Sequence, residues 1–333
     1  MEVAVILRRL LPLSLLFVPS SRRRNGDFMK KGGLSQKKKK EIISGYLFIL
    51  PLFLGLGVFH FYAFFNNIWI SLTDRKALQD GRFIGLGNYV KVLHDSDFLR
   101  SLGNTVCYVL ICVPCILVIS VLLAVMLNSQ IRGKGIFRTL IFFPLVTAPS
   151  AIALTWRWLL NTRYGMINNI LRACGMEEVA WLTDERYTLI SCAVVIIWAA
   201  IGYQVIVILA GLQNISTTYY EAARVDGAGS VRQFFYITLP LLTPTIYFVL
   251  TLAVISMFKE FEIVYMLIPS TQYNTVSPAI NASRTVVRYF YDLTFRGEFN
   301  EGYGSAISVC LFIVILIVTL IQNRLQKKWV FYA

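Results

Sequence analysis

Few side chains in this 333-residue sequence stand where they could do chemistry together. The two histidines, His60 and His94, fall in a long apolar run and in a polar loop, and nothing pairs them as metal ligands. Cys112-Val-Pro-Cys115 has redox spacing, but it lies inside an apolar run where cysteines serve as small packing residues. Of six cysteines only Cys174 falls in a predicted outer loop, so no disulfide framework is implied. Gly133-Lys134 is followed by Gly135 and has no upstream glycine, so it is not a phosphate-cradling loop. Neither a nucleophile elbow nor a pair of catalytic carboxylates stands out, so catalytic and metal sites are both read as none and the chain is not expected to be an enzyme. Two polar groupings remain. Residues 221–240, EAARVDGAGSVRQFFYITLP, lie between apolar runs and carry Glu221, Arg224, Asp226 and Arg232. Ser256, Met257, Lys259, Glu260 and Glu262 gather toward the end of the next run.

The elements that must position these groups are membrane helices. The composition is 56% hydrophobic and only 15% charged, which excludes an ordinary soluble domain and points to an all-α polytopic membrane protein. Apolar stretches at about 45–72, 104–128, 137–160, 187–212, 241–268 and 304–323 each reach the roughly 20 residues needed to span a bilayer core. Six transmembrane helices are therefore predicted. Pro51, Pro114, Pro144, Pro149 and Pro244 lie within them, which membrane helices tolerate.

The net charge of +14 is not read as a nucleic-acid footprint, because the first 40 residues hold 11 of the 32 lysines and arginines. That bias places the N-terminus in the cytoplasm, and six crossings return the C-terminus there. The expected organisation is a basic cytoplasmic tail over 1–40, a transmembrane domain over 41–325 with a cytoplasmic loop at 213–240, and a tail over 326–333. LLPLSLLFVP, near the start, is too short to span and lacks a small-residue cleavage site. Met29 opens MKKGGLSQKKKK, and translation is expected to begin there, leaving residues 1–28 out of the mature protein.

Within the cytoplasmic loop, Thr218 and Glu221 fit a capping box, with Thr218 capping a short helix that ends at Gly227. A second helical piece, 231–236, leads to Pro240 at the start of the next span. Ala222, Ala223 and Gly227 leave one face with almost no side chains, open to a docking protein or, on shape alone, to service as a plain connector. The pattern E-A-A, three residues, Gly, nine residues, I-x-L-P is met by Glu221, Ala222, Ala223, Gly227, Ile237, Leu239 and Pro240. It resembles the EAA loop of membrane subunits of binding-protein-dependent ABC importers.

The resemblance runs over about residues 40–330. Gly85-Leu-Gly87-Asn88-Tyr89, Asn104-Thr105, Phe137-Arg138-Thr139 with Pro144, Trp156-Arg-Trp158, Gly165-Met-Ile-Asn168 and Leu209-Ala-Gly211-Leu-Gln213 are similar to motifs of the carbohydrate-uptake branch, the maltose, glycerol-phosphate and multiple-sugar permeases. Two places depart from the pattern: Ser216-Thr-Thr218 stands where a Pro and a Glu are usual, and 267–274 lacks the T-x-G-G-P of the family.

The resemblance implies a type I ABC importer permease fold in a bacterial cell membrane. It implies a second, homologous permease forming a heterodimer, two copies of a cytoplasmic ABC ATPase that bind ATP and Mg, and an extracytoplasmic solute-binding protein. This chain itself would bind no cofactor. Glu221, Ala222, Ala223, Asp226, Gly227, Ile237, Leu239 and Pro240 would form the ATPase-coupling loop. Matching to the maltose-type subunit puts Ile196, Ala200 and Tyr203, then Ser256, Met257 and Glu260, on the substrate path. Lys259 and Glu260 also fit an ordinary pair snorkelling at the interface. The implied function is import of a sugar or oligosaccharide. Import of a peptide, polyamine or anion, or a stand-alone secondary carrier, are the alternatives.

Overall fold

The computed structural model describes residues 36–77, 79–129, 132–269, 277–296 and 299–331. The 1–28 leader, most of the basic tail, the 270–274 part of the divergent loop and the last two residues lie outside the described residues. Among the described residues the chain is helical, with one isolated bridge, Thr73 to Phe83, and no strand beyond it. The chain divides into two compact units after His60. Helix α1 (Gln36–Leu56) lies in the first and runs into a π-helical turn, Gly57–Tyr62, that crosses the division.

The second unit holds the remaining helices. Those that build the bundle are α2 (Ala63–Ser71), α3 (Gly87–His94), α4 (Ser96–Asn128), α5 (Lys134–Val146) and α6 (Pro149–Leu159). Next come α7 (Met166–Ala173), α8 (Glu185–Gln213), α9 (Thr217–Val225), α10 (Ser230–Gln233) and α11 (Leu239–Phe258). Short helices α12 (Glu262–Leu267), α13 (Pro278–Ser283) and α14 (Val286–Tyr291) precede the last, α15 (Glu301–Gln326).

Among the described residues, five helical runs are long and apolar enough to cross a membrane: Lys40–Ser71, Ser96–Asn128, Glu185–Gln213, Ser230–Phe258 and Glu301–Gln326. The third expected span, 137–160, is not straight. It is the pair α5 and α6, bent by 105°, and counts as a sixth crossing only if the pair is one span. The cause is local. A residue before proline is pushed out of the helical region, and Ala148, before Pro149, has φ −58 and ψ 134. Thr147 is extended as well, at φ −93 and ψ 135.

The expected fifth span, 241–268, is displaced in the same way. Helix begins at Ser230, continues through a π-turn (Phe234–Thr238) into α11, and stops at Phe258. Pro240 therefore lies inside a continuous helical run rather than at its start. Proline removes an amide donor and clashes with the carbonyl four residues back. Widening the preceding turn to π geometry accommodates this.

Helices α4 and α8 form the central seam, where Tyr108, Cys112, Ile116, Cys192, Val195 and Ile196 are buried together. Helix α5 lies against α8 at Gly202, where a β-carbon would come within 2.8 Å of the Ile141 carbonyl. A small residue there lets the two backbones meet. Helices α2 and α15 pair, with the Asn67 amide donating to Ser308 Oγ at 2.9 Å.

Two motif asparagines fasten the loops. Buried Asn88 donates to the carbonyls of Ser71 and Thr73 at 2.9 and 2.7 Å, closing the end of α2. Asn168, fully buried, donates to Thr162 and Val179 and accepts from Val179 N–H and from Trp181 Nε1.

Candidate functional site

The EAA segment forms helix α9 followed by a tight reversal. The helix begins two residues earlier than the capping box required. Ser216, not Thr218, is the N-cap, its Oγ accepting the Thr218 N–H at 3.4 Å and lying 2.8 Å from Thr218 Oγ1. Ser216 competes successfully because its own backbone is extended, as an N-cap must be. Glu221 thus has no capping role.

At the other end the expected glycine stop is present in full. Gly227 has φ +78, its N–H reaches the Arg224 carbonyl at 3.0 Å, and the Ala228 N–H reaches Ala223 at 2.8 Å. These two bonds make a Schellman motif, which favours glycine at this left-handed position. Tyr220 Oη meets Thr238 Oγ1 at 3.0 Å, and Gln233 Nε2 donates to the Ala228 carbonyl at 2.8 Å. The loop is therefore braced from both sides.

Glu221, Ala222, Asp226 and Gly227 are exposed, and Ala223 is half-buried. Ile237, Leu239 and Pro240 are half-buried in the helical run behind them, so they support the loop rather than face outward. Beside the loop lies an open groove lined by Val231, Arg232, Phe235 and Tyr236, with the Arg232 guanidinium 5.9 Å from the Tyr236 ring. Val225 is 88% exposed and Tyr236 77%. Sequence reasoning did not single out these apolar residues. Their signal was present, as apolar side chains in a stretch otherwise made of polar and small ones.

The second site is a cavity of about 250 Å³ between α4, α8, α11 and α12. All six residues expected on the substrate path, Ile196, Ala200, Tyr203, Ser256, Met257 and Glu260, lie on its wall. Ile116, Gln204 and Ile263 complete much of the rest. Ile196, Ala200 and Tyr203 share a helix face by their spacing, while Glu260 arrives from the break between α11 and α12.

Glu260 is held from three directions. Its N–H reaches the Met257 carbonyl at 3.2 Å, and its carboxylate accepts the Ile263 N–H at 3.2 Å. Its own carbonyl accepts from Thr285 Oγ1 at 2.8 Å. Lys259, next in the chain, is exposed, and no ion pair joins it to Glu260 among the described residues. Glu262 is exposed as well.

The segment that holds Glu260 is itself fastened. The side chain of Thr285 caps α14, accepting the Arg288 N–H at 3.3 Å. Arg288, fully buried, donates to the carbonyls of Val264 and Ile268 at 3.2 and 2.7 Å and lies 3.7 Å from Asp292. Burial lowers the Arg288 pKa, and the Asp292 carboxylate opposes that shift. Helix α4 grips the same segment. Asn104 donates to the carbonyls of Asn281 and Arg284, Thr105 accepts from the Val286 N–H, and Tyr108 donates to the Ser283 carbonyl.

At the start of α4, Asp95 accepts the N–H groups of Asp97 and Phe98 and the hydroxyls of Tyr289 and Tyr303, each hydroxyl at 2.5 Å. Burial works to raise the Asp95 pKa, but these four donors outweigh it and hold the carboxyl below the ordinary aspartate value. Arg284 pairs with Asp97 at 3.0 Å and lies 4.5 Å over the Tyr289 ring. No group of three or more His, Cys, Asp and Glu placed to hold a metal occurs among the described residues.

A half-open cavity beside a broken helix, with an exposed helical loop elsewhere on the bundle, belongs to a recognisable kind of membrane protein. The family model of binding-protein-dependent transport system inner membrane components matches residues 84–330. The chain belongs to this family. Members similar to it include the lactose transport system permease protein LacF of Rhizobium radiobacter, 32% identical over 86% of this chain and 95% of that protein. The trehalose/maltose transport system permease protein MalF of Thermococcus litoralis is 32% identical over 88% and 97%. The sulfoquinovosyl glycerol transport system permease protein SmoG of Agrobacterium fabrum is 34% identical over 78% and 80%. The fold is that of a type I importer permease. A chain of a bacterial alginate ABC transporter, crystallised with an alginate pentasaccharide-bound periplasmic protein, superposes with a TM-score of 0.78 at 22% identity, covering 88% of this chain and 96% of that one. As a family member the chain is a transport component of a membrane.

Proposed function

We propose that this chain is one permease subunit of an ATP-driven importer for a sugar or oligosaccharide. A solute-binding protein outside the cell delivers the sugar, and a second, homologous permease completes the pathway. The observation that carries the reading is the cavity. Tyr203, Gln204, Ser256 and Glu260 offer hydrogen bonds within a wall that is otherwise largely aliphatic, the mixture that suits a polyhydroxylated ring. Kinship with lactose and trehalose/maltose permeases supports the same class. At about 250 Å³ the cavity is just below the roughly 300–1,000 Å³ usual for ligand pockets, in keeping with a site shared with the second permease.

The braced loop at Glu221–Gly227 is the coupling element. Two cytoplasmic ATPase subunits bind ATP and Mg, and each receives such a loop. In this arrangement both termini lie in the cytoplasm, 41–325 is the transmembrane domain, and alternating access is driven around the mid-membrane cavity. The exposed Glu221, Ala222, Asp226 and Gly227, with Ala223 beneath them, form the docking face.

The test is uptake into proteoliposomes holding this chain, its second permease and the ATPase, with binding protein supplied outside. ATP-dependent sugar accumulation is expected, and Met257→Trp, which fills the cavity, should lower it at least tenfold while basal ATP hydrolysis persists. Undiminished uptake by Met257→Trp removes the cavity from the route.

A further inference from the structure

The relatives leave the charge of the substrate open, since lactose, trehalose and maltose are uncharged whereas sulfoquinovosyl glycerol carries a sulfonate. The cavity wall is more specific. We propose that it accepts uncharged sugars and rejects sugars bearing carboxylate or sulfonate groups, with Glu260 as the residue that discriminates. This rests on the cavity being the sugar route.

Three observations lead there. First, the wall contains one carboxyl and, among the described residues, no lysine or arginine. Recognition of a sugar acid ordinarily uses cations, arginine above all, because a charged, bidentate donor pair matches the carboxylate. Neither Lys259, next in the chain, nor Arg288, which fastens the segment behind Glu260, lines the cavity. Lys259 is exposed and off the wall. Arg288 spends its donors on the carbonyls of Val264 and Ile268 and faces Asp292.

Second, a main-chain donor at the break is already taken. The N–H of Ile263, in the first turn of α12, is occupied by the Glu260 carboxylate itself. An incoming anion would find a carboxyl oxygen seated where it would need a donor.

Third, the wall is rich in acceptors. Gln204 is 7% exposed, and its Oε1 is buried with no hydrogen-bond partner. A buried acceptor without a donor is a standing cost that a partner hydroxyl relieves. Sugar hydroxyls can donate to Glu260 and, with a small side-chain rotation, to Gln204. A carboxylate or sulfonate has no proton to give.

The experiment uses the assembled permease pair and ATPase in lipid nanodiscs, without the binding protein, so that its own selectivity does not enter. Saturation-transfer NMR titrations would compare lactose, maltose, trehalose and arabinobiose with digalacturonic acid. At least one neutral disaccharide should bind tenfold or more tightly than the acid. Glu260→Gln, which keeps an acceptor for the Ile263 N–H, should narrow that ratio at least threefold. Gln204→Leu should weaken all probes and leave the ratio in place. Binding of the acid as tightly as the best neutral sugar, or a ratio unmoved by Glu260→Gln, overturns the proposal. Absence of binding by any sugar, or binding undisturbed by Met257→Trp, overturns the sugar reading beneath it and this inference with it.

Discussion

Thr285 Oγ1 donates to the main-chain carbonyl of Glu260 across 2.8 Å, although 25 residues separate the two in sequence. The bond joins the α13–α14 segment to Glu260, the acidic residue on the cavity wall among the described residues. Thr285 is held in turn through its neighbours, Val286 by Thr105 and Arg284 by Asn104. Glu260 is thus placed by contacts that reach back to α4.

Thr285→Val should leave the Glu260 carbonyl unpaired and α14 uncapped, a loss of about 1–3 kcal/mol for the buried acceptor. Thr285→Ser keeps the hydroxyl and should behave as wild type. Uptake assays beside thermal unfolding of the purified complex would check this. A valine variant that transports and melts normally would show that Glu260 needs no such support.

Arg288→Met should be far more damaging. It strips donors from the Val264 and Ile268 carbonyls and leaves Asp292 without its partner. Breaking a buried charged arrangement from one side costs about 3–5 kcal/mol. The measurable outcome is loss of folded protein in detergent-solubilised membranes. Arg288→Lys should recover only part of it, since an ammonium cannot reach two carbonyls with the geometry of a guanidinium.

Gly227→Trp should leave α9 formed but strain the Schellman turn, because φ +78 disfavours any side chain. Its bulk would also obstruct the docking face. ATP hydrolysis should continue while ATP-driven uptake falls at least tenfold, and Gly227→Asn should retain more uptake, asparagine being the next best residue at such a position. Coupled transport by the tryptophan variant would refute this face as the contact.

The Asp95 cluster predicts a dependence on pH. Its folded pKa lies below the reference value of 3.8, so the stabilisation is fully present above pH 3.8 and is lost as pH falls through the lower, folded value. Asp95→Asn can still cap α4 but cannot bind two hydroxyls as a carboxylate does. Wild type should therefore melt at a higher temperature than Asp95→Asn at pH 6, with the gap closing below about pH 3.8. A gap constant with pH would mean that the charge contributes nothing.

Much of this was legible along the chain because it depended on neighbours in sequence. The family resemblance put Ile196, Ala200 and Tyr203 on the substrate path, and they do share a cavity wall. The glycine stop at Gly227 follows from a local turn. What escaped depended on partners far away. Asp95 meets Tyr289 and Tyr303 across 194 and 208 residues, and Arg288 finds main-chain carbonyls, which no residue pattern announces. Two errors were local as well. Ser216 and Thr218 are chemically equal candidates for one cap, and only backbone geometry separates them. The bend before Pro149 was signalled by the proline, but apolar content alone reads α5 and α6 as one span.

The run from Ser230 to Phe258 has a mechanical consequence. Its 29 residues form a shaft of roughly 43 Å, longer than the approximately 30 Å of a bilayer's hydrocarbon core. One end is tied to α9 by Tyr220 and to the turn after α9 by Gln233, and the other carries Ser256 and Met257 into the cavity. No loop interrupts it, so a tilt imposed at the base arrives at the tip as a lever stroke. The π-turn before Pro240, with Pro244 one turn further on, is where torque would be absorbed or passed on.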